Sequence, residues 1–203
     1  MLGRPNAVTA GQRMFGGAIL ITVAYVALHY YLFEVVAYGP WTEGPWRVVE
    51  FEVANAGHKL PFVLSPYLVA QTLLLGFWAI RPPRPITEGA FVVAAARLSE
   101  WLRWSALILT LIGVGVALAF VARRMLAVYF MSLLPLFGVA YTAAVFRCLQ
   151  INGRMQEEGR SRFSTKALAV GAWLPSMMIP LWPIGLAIPI SVWRRVGGSQ
   201  VAR

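Results

Sequence analysis

Aspartate is missing from this chain of 203 residues; all eight acidic side chains are glutamates. That absence removes chemistry built on paired aspartates or on an aspartate-held magnesium ion. Cysteine occurs once, as Cys148, so no intrachain disulfide, cysteine redox pair or thiolate-rich metal centre can form. Histidine is almost as scarce, with only His29 and His58. Phosphate-cradling glycine loops, HExxH and GxSxG are absent as well. The expectation is therefore no catalytic residue, no metal site and no cofactor, and the reading leans away from an enzyme.

Apolar residues dominate instead. They make up 59% of the chain, and the mean hydropathy is +0.65. They gather in five runs, at residues 15–37, 61–80, 101–122, 126–146 and 167–193. Each run is long enough to cross a hydrocarbon core of about 30 Å at about 1.5 Å per residue. A soluble domain of this size has too little interior to hide five of them. The fold class predicted is all-α: a single integral membrane domain over residues 1–203, built as a polytopic transmembrane helical bundle of four to five spans. The first run is too long for the apolar region of a cleaved signal peptide and reads as a retained anchor.

The formal net charge of +10 would suggest nucleic acid in a soluble protein. Here the cations are nearly all arginines at the ends of apolar runs (Arg81, Arg103, Arg123, Arg124, Arg147, Arg194, Arg195), where they reach headgroups and set topology. The partner expected is the lipid bilayer, with a homo-oligomer or a membrane-protein partner beside it, and no nucleic acid. The positive-inside rule favours a cytoplasmic N-terminus. The aromatic belt agrees: tryptophans such as Trp41, Trp78, Trp101 and Trp193 fall near run ends.

Between the runs lie two distinctive stretches. WRVVEFEV, at 46–53, alternates with period two and reads as a short strand in an outer loop. Residues 86–104 follow the RPPRP helix stop and carry Arg97, Glu100 and Arg103 on one stripe, with Phe91, Ala95, Leu98 and Leu102 opposite. This predicts an interfacial amphipathic helix, N-capped by Thr87, that runs into the third apolar run. The third and fourth runs should form a tight antiparallel hairpin, with Gly113–Ala117, Gly138–Thr142 and Ala140–Ala144 as close-packing pairs. Pro135 should kink the fourth run. The last run holds four prolines, at 175, 180, 183 and 189. It is either a proline-broken span or a re-entrant hairpin turning near 180–183.

Four polar residues inside apolar runs form a candidate intramembrane site: His29, Glu34, Gln71 and Ser176. His29 lies about 12 Å inside the outer end of the first run at 1.5 Å per residue, a depth at which ionisable groups mark functional paths or find a neighbouring helix. Glu34 sits one turn from the interface, within reach of headgroups or of Arg47 and Lys59. Glu43, Glu50, Glu52 and His58 form an acidic outer surface, read as solvated rather than metal-binding.

One resemblance adds to this. Asn152, Gly159, Phe163–Ser164, the run AVGAWLP ending at Pro175, then Pro183 and Trp193–Arg194 resemble the C-terminal signature of a family of small bacterial multi-helix membrane proteins, a domain of unknown function. An alanine separates Gly171 from Trp173 where the family pattern has them adjacent. The resemblance implies a bacterial inner-membrane protein and supplies no activity. The function expected is an accessory, assembly or scaffold subunit; the alternative is a small transporter or channel with its site near the proline-broken last run.

Overall fold

Helices are expected wherever the chain runs apolar, because a backbone out of reach of water must satisfy its own N–H and C=O groups. A computed structural model describes residues 67–121, 130, 133–177 and 181–201, with positions 16, 17, 20, 23, 24 and 27 of the first apolar run. Five long helices account for most of these residues: α1 (Tyr67–Ile80), α2 (Phe91–Val121), α3 (Leu134–Glu157), α4 (Thr165–Ser176) and α5 (Trp182–Val201). The fold is all-α, with no strand among the described residues. The strand-like stretch at 46–53 lies outside them. Two of the helical segments, Glu88–Leu118 and Leu134–Glu157, are long and apolar enough to cross a membrane.

Chain breaks follow local chemistry. The Arg81 amide closes α1 by donating to the Phe77 carbonyl at 2.8 Å, and the prolines beyond cannot continue the helix. Thr87 does occupy an N-cap position, but of a short 3-10 turn (Glu88–Ala90) and without a side-chain cap bond. From Phe91 the helix is unbroken to Val121. The amphipathic stretch is thus the first part of α2 and runs without a break into the third apolar run, as expected. Its faces are as the spacing predicts: Leu98 and Leu102 are buried, while Arg97, Glu100 and Arg103 are exposed. Pro135 stands in the first turn of α3, where its missing N–H is unneeded, so it starts that helix instead of kinking it.

α3 is the axis of the bundle, buried on almost every side. α1 runs parallel to it: Tyr67 meets Pro135 near the start of both helices, and Trp78 meets Phe146 eleven residues on. α2 runs antiparallel to α3, with Glu88 against Arg154 at one end and Gly115 against Phe130 near the other. This is the hairpin expected of the third and fourth runs. Its close-packing pairs divide, however. Gly138, Thr142, Ala140 and Ala144 are buried in α3, but nothing lies within 4 Å of a Cβ placed on Gly113, and Ala117 is exposed. On α2 the close approach falls at Gly115.

α4 and α5 fold back on each other. Pro175 faces Gly185, Gly171 faces Ile188, and the Arg195 guanidinium lies 4.5 Å over the Phe163 ring. The two helices are therefore antiparallel, and α5 returns to the end from which α4 departs.

This arrangement sorts charge. All eleven basic residues described (Arg81, Arg84, Arg97, Arg103, Arg147, Arg154, Arg160, Arg162, Lys166, Arg194, Arg195) and the four described glutamates (Glu88, Glu100, Glu157, Glu158) lie toward the end where α3 finishes. The rest of each helix holds no charged residue: 67–80, 104–121, 134–146, 167–177 and 181–193. On α2 that uncharged stretch is about 27 Å long at 1.5 Å per residue. Large apolar side chains stand exposed along it, among them Leu107, Leu111, Val114 and Leu118 on one face of α2 and Leu174 and Ile184 on the hairpin.

Candidate functional site where four helices meet

The last turn of a helix leaves its carbonyls without intrahelical donors. α4 ends in this way at Ser176, with Pro175 in its last turn, and both Ala172 and Ser176 are buried. Side chains supply the missing donors. Tyr141 of α3 donates its hydroxyl to the Ala172 carbonyl at 2.9 Å. The Ser176 hydroxyl donates to the Trp173 carbonyl at 2.6 Å. The Ser176 carbonyl accepts from Thr72 of α1 at 3.4 Å and from the Trp182 indole of α5 at 3.3 Å. Trp182 is fully buried and stacks on Phe137 with ring centroids 4.6 Å apart. The tip of the hairpin is thus held by donors from α1, α3, α5 and α4 itself. Gly185 belongs to the same design, since a Cβ there would collide with the Tyr141 hydroxyl.

Of the four candidate residues only Ser176 is part of the tip; Gln71 is the sequence neighbour of Thr72, which reaches it. His29 and Glu34 lie outside the described residues. Gln71 turns toward α3, not toward the tip. It is 1% exposed, and neither its amide nitrogen nor its oxygen has a hydrogen-bond partner among the described residues. It packs over Gly138: a Cβ at that glycine would fall 2.7 Å from Gln71 Oε1 and equally close to the Tyr67 hydroxyl. One helical turn further along α3, the buried Thr142 hydroxyl is also without a partner among the described residues. Outside this interface, a groove of about 300 Å³ runs between α1 and the hairpin tip, lined by Leu68, Val69, Thr72, Leu73, Ser176 and Met177.

A second polar cluster ties the charged end together. α3 stops at Gly159, whose φ of +69° suits glycine. Arg160 N then bonds the Met155 carbonyl at 2.8 Å and Gly159 N the Gln156 carbonyl at 3.1 Å, a Schellman closure. Asn152, buried in α3, donates to the Phe163 carbonyl and to Thr165 Oγ1, both at 3.0 Å, and accepts from Ser161 at 2.7 Å. Gln156 Oε1 caps the first turn of α4 through the Thr165 amide and hydroxyl. Outside, hydrogen bonds from Arg160 and then Arg154 hold the Glu158 carboxyl below its ordinary range. Beside this cluster the 82–85 segment, Gly153, Gln156, Glu157 and Thr165 enclose a groove of about 510 Å³.

Chemically these groups donate and accept hydrogen bonds. No three potential metal-ligating side chains cluster among the described residues. Reading the runs for polar residues finds Gln71 and Ser176 but passes over Tyr141, Thr142 and Trp182. The usable signal is that a tyrosine or tryptophan deep in an apolar run carries a donor that needs an acceptor. No protein family model, curated protein or solved structure matches the chain.

Proposed function

We propose that this chain is a polytopic protein of the bacterial inner membrane, acting as an accessory, assembly or scaffold subunit. The observation that carries the membrane reading is the sorting of charge. An uncharged, outward-apolar slab ending in a cap of eleven cations matches a hydrocarbon core bordered by headgroups. On this reading runs one to four span, α4–α5 is a re-entrant hairpin, and the basic end with the N-terminus faces the cytoplasm. Inclusion in the family that residues 152–194 resemble is part of the same proposal. The subunit role draws support from how the buried polar groups are used: Tyr141, Ser176, Trp182 and Asn152 are spent on the protein's own backbone and turns. Blue-native electrophoresis after mild detergent extraction tests it. A homo-oligomer or a complex with another membrane protein is expected; a strict monomer without partners overturns the subunit role.

Gln71 and Thr142 favour a second reading, a small transporter or channel, because unpartnered polar groups on facing helices at membrane depth suit a transient guest. Solute flux in proteoliposomes that survives Gln71→Leu and Thr142→Val unchanged would dispose of it.

A further inference from the structure

Only 17% of the apolar stretch of α2 is buried, against 61% of that of α3. The uncovered surface of α2 is patterned. Val93, Trp104, Leu107, Leu111, Val114 and Leu118 are all exposed and fall on one stripe, in which steps of four and three residues alternate. Arg97 and Glu100, also exposed, fill the two places between Val93 and Trp104. This alternation is the seven-residue repeat by which one helix seats its side chains between those of another. Acyl chains impose no such repeat. Along one flank of the stripe Ala96, Thr110 and Ala117 are small and exposed, which lets a second helix approach closely.

The charges say which helix that is. Arg97, Glu100 and Arg103 follow one another at three-residue steps, and none of them forms an ion pair among the described residues. On the membrane reading, two copies of the chain enter the bilayer the same way up, so their α2 helices meet in parallel and at the same level. About a twofold axis, each Glu100 then falls beside the Arg97 and Arg103 guanidinium groups of the second copy. The stripe is thus its own complement in charge as well as in spacing. We infer that α2 pairs in parallel with α2 of a second copy of this chain, along the stripe from Val93 to Leu118. The inference rests on the subunit reading above and adds the partner and the surface to it.

The test is disulfide trapping of the full chain in native membranes, in a Cys148→Ser background. Leu107→Cys, Leu111→Cys and Val114→Cys should each yield a dimer of twice the chain's mass under mild oxidation. Leu73→Cys on α1 and Ile184→Cys on α5, exposed but off the stripe, should not. Glu100→Arg, combined with Leu111→Cys, should lower the trapped fraction about fivefold, and R97E/E100R should restore it. All these positions are exposed, so the substitutions leave the packing of the bundle intact. Equal trapping on and off the stripe, or none on it, overturns the pairing. A fraction unmoved by Glu100→Arg overturns the parallel register. Stripe cysteines that capture a different protein, read from the mass of the adduct, overturn the second copy and leave the subunit role standing. A parent chain that also migrates as a strict monomer in blue-native electrophoresis overturns the subunit role itself.

Discussion

Trp182 donates its indole N–H to the Ser176 carbonyl oxygen at 3.3 Å, and that bond closes the α4–α5 hairpin from the inside. The acceptor sits one residue past Pro175 in α4, and the donor is the first residue of α5. A large aromatic ring therefore does two things at once: it fills the space against Phe137 and Tyr141 and replaces a helical amide.

Separating those two roles gives the first prediction. Trp182→Phe keeps a ring for the stack but removes the donor, at a cost of about 1–3 kcal/mol for the carbonyl left short of a partner. Trp182→Ala removes the ring too and should cost about 3–5 kcal/mol. Chemical unfolding in detergent micelles measures both; equal losses would mean that the hydrogen bond contributes nothing.

The path of the hairpin is directly testable. Cys148 is buried, so a Cys148→Ser background frees the chain for single reporter cysteines. Cysteines placed at Ser164, before α4, and after residue 201, beyond α5, should react with an impermeant maleimide from the same side of the membrane. Labelling from opposite sides would make the last run a span.

At Gly138 side chains of α1 pack directly on the backbone of α3. Gly138→Ala places a methyl group against Gln71 and Tyr67, and the overpacking should cost about 1–3 kcal/mol. Gln71→Leu acts in the opposite sense. It replaces an unpartnered buried amide with an apolar group of similar size, so stability should hold or rise. A clear loss in Gln71→Leu would show that the amide has a partner in the working protein.

At the charged end, Asn152→Ala removes three hydrogen bonds and strands the buried Ser161 hydroxyl, while Thr165 keeps its bonds to Gln156. The expected loss is about 2–4 kcal/mol. Hydrogen exchange should localise it to residues 158–166, with α1 unaffected; uniform loosening of the whole bundle would contradict this.

Much of this fold was legible in the chain. The apolar run at 61–80 and the described α1 end at the same residue, because RPPRP permits nothing else. The run at 126–146 underestimates α3, since a helix does not stop where hydrophobicity does: Arg147–Glu157 continues it, with Asn152 buried and Arg154 paired outside. The prolines of the last run announced a break, yet they left open which way the chain goes afterwards. That choice is made by Tyr141 and Thr72, which are remote in sequence from α4. The site was legible only in part for the same reason. Polar residues stand out in an apolar run, whereas the partners of Ser176 hide among residues that read as packing.

The hairpin has a consequence for biosynthesis. On the bilayer reading, Lys166 at its start and Arg194–Arg195 at its finish stay on the side where the ribosome works, so no guanidinium or ammonium of this piece ever has to be dragged through oil. It can be seated last, after the neighbouring rods have gathered, with Thr72 and Tyr141 waiting as a ready-made receptacle. A chain cut short before residue 165 would then reach the membrane intact but leave that receptacle empty, which makes the hairpin the part that quality control has most reason to inspect.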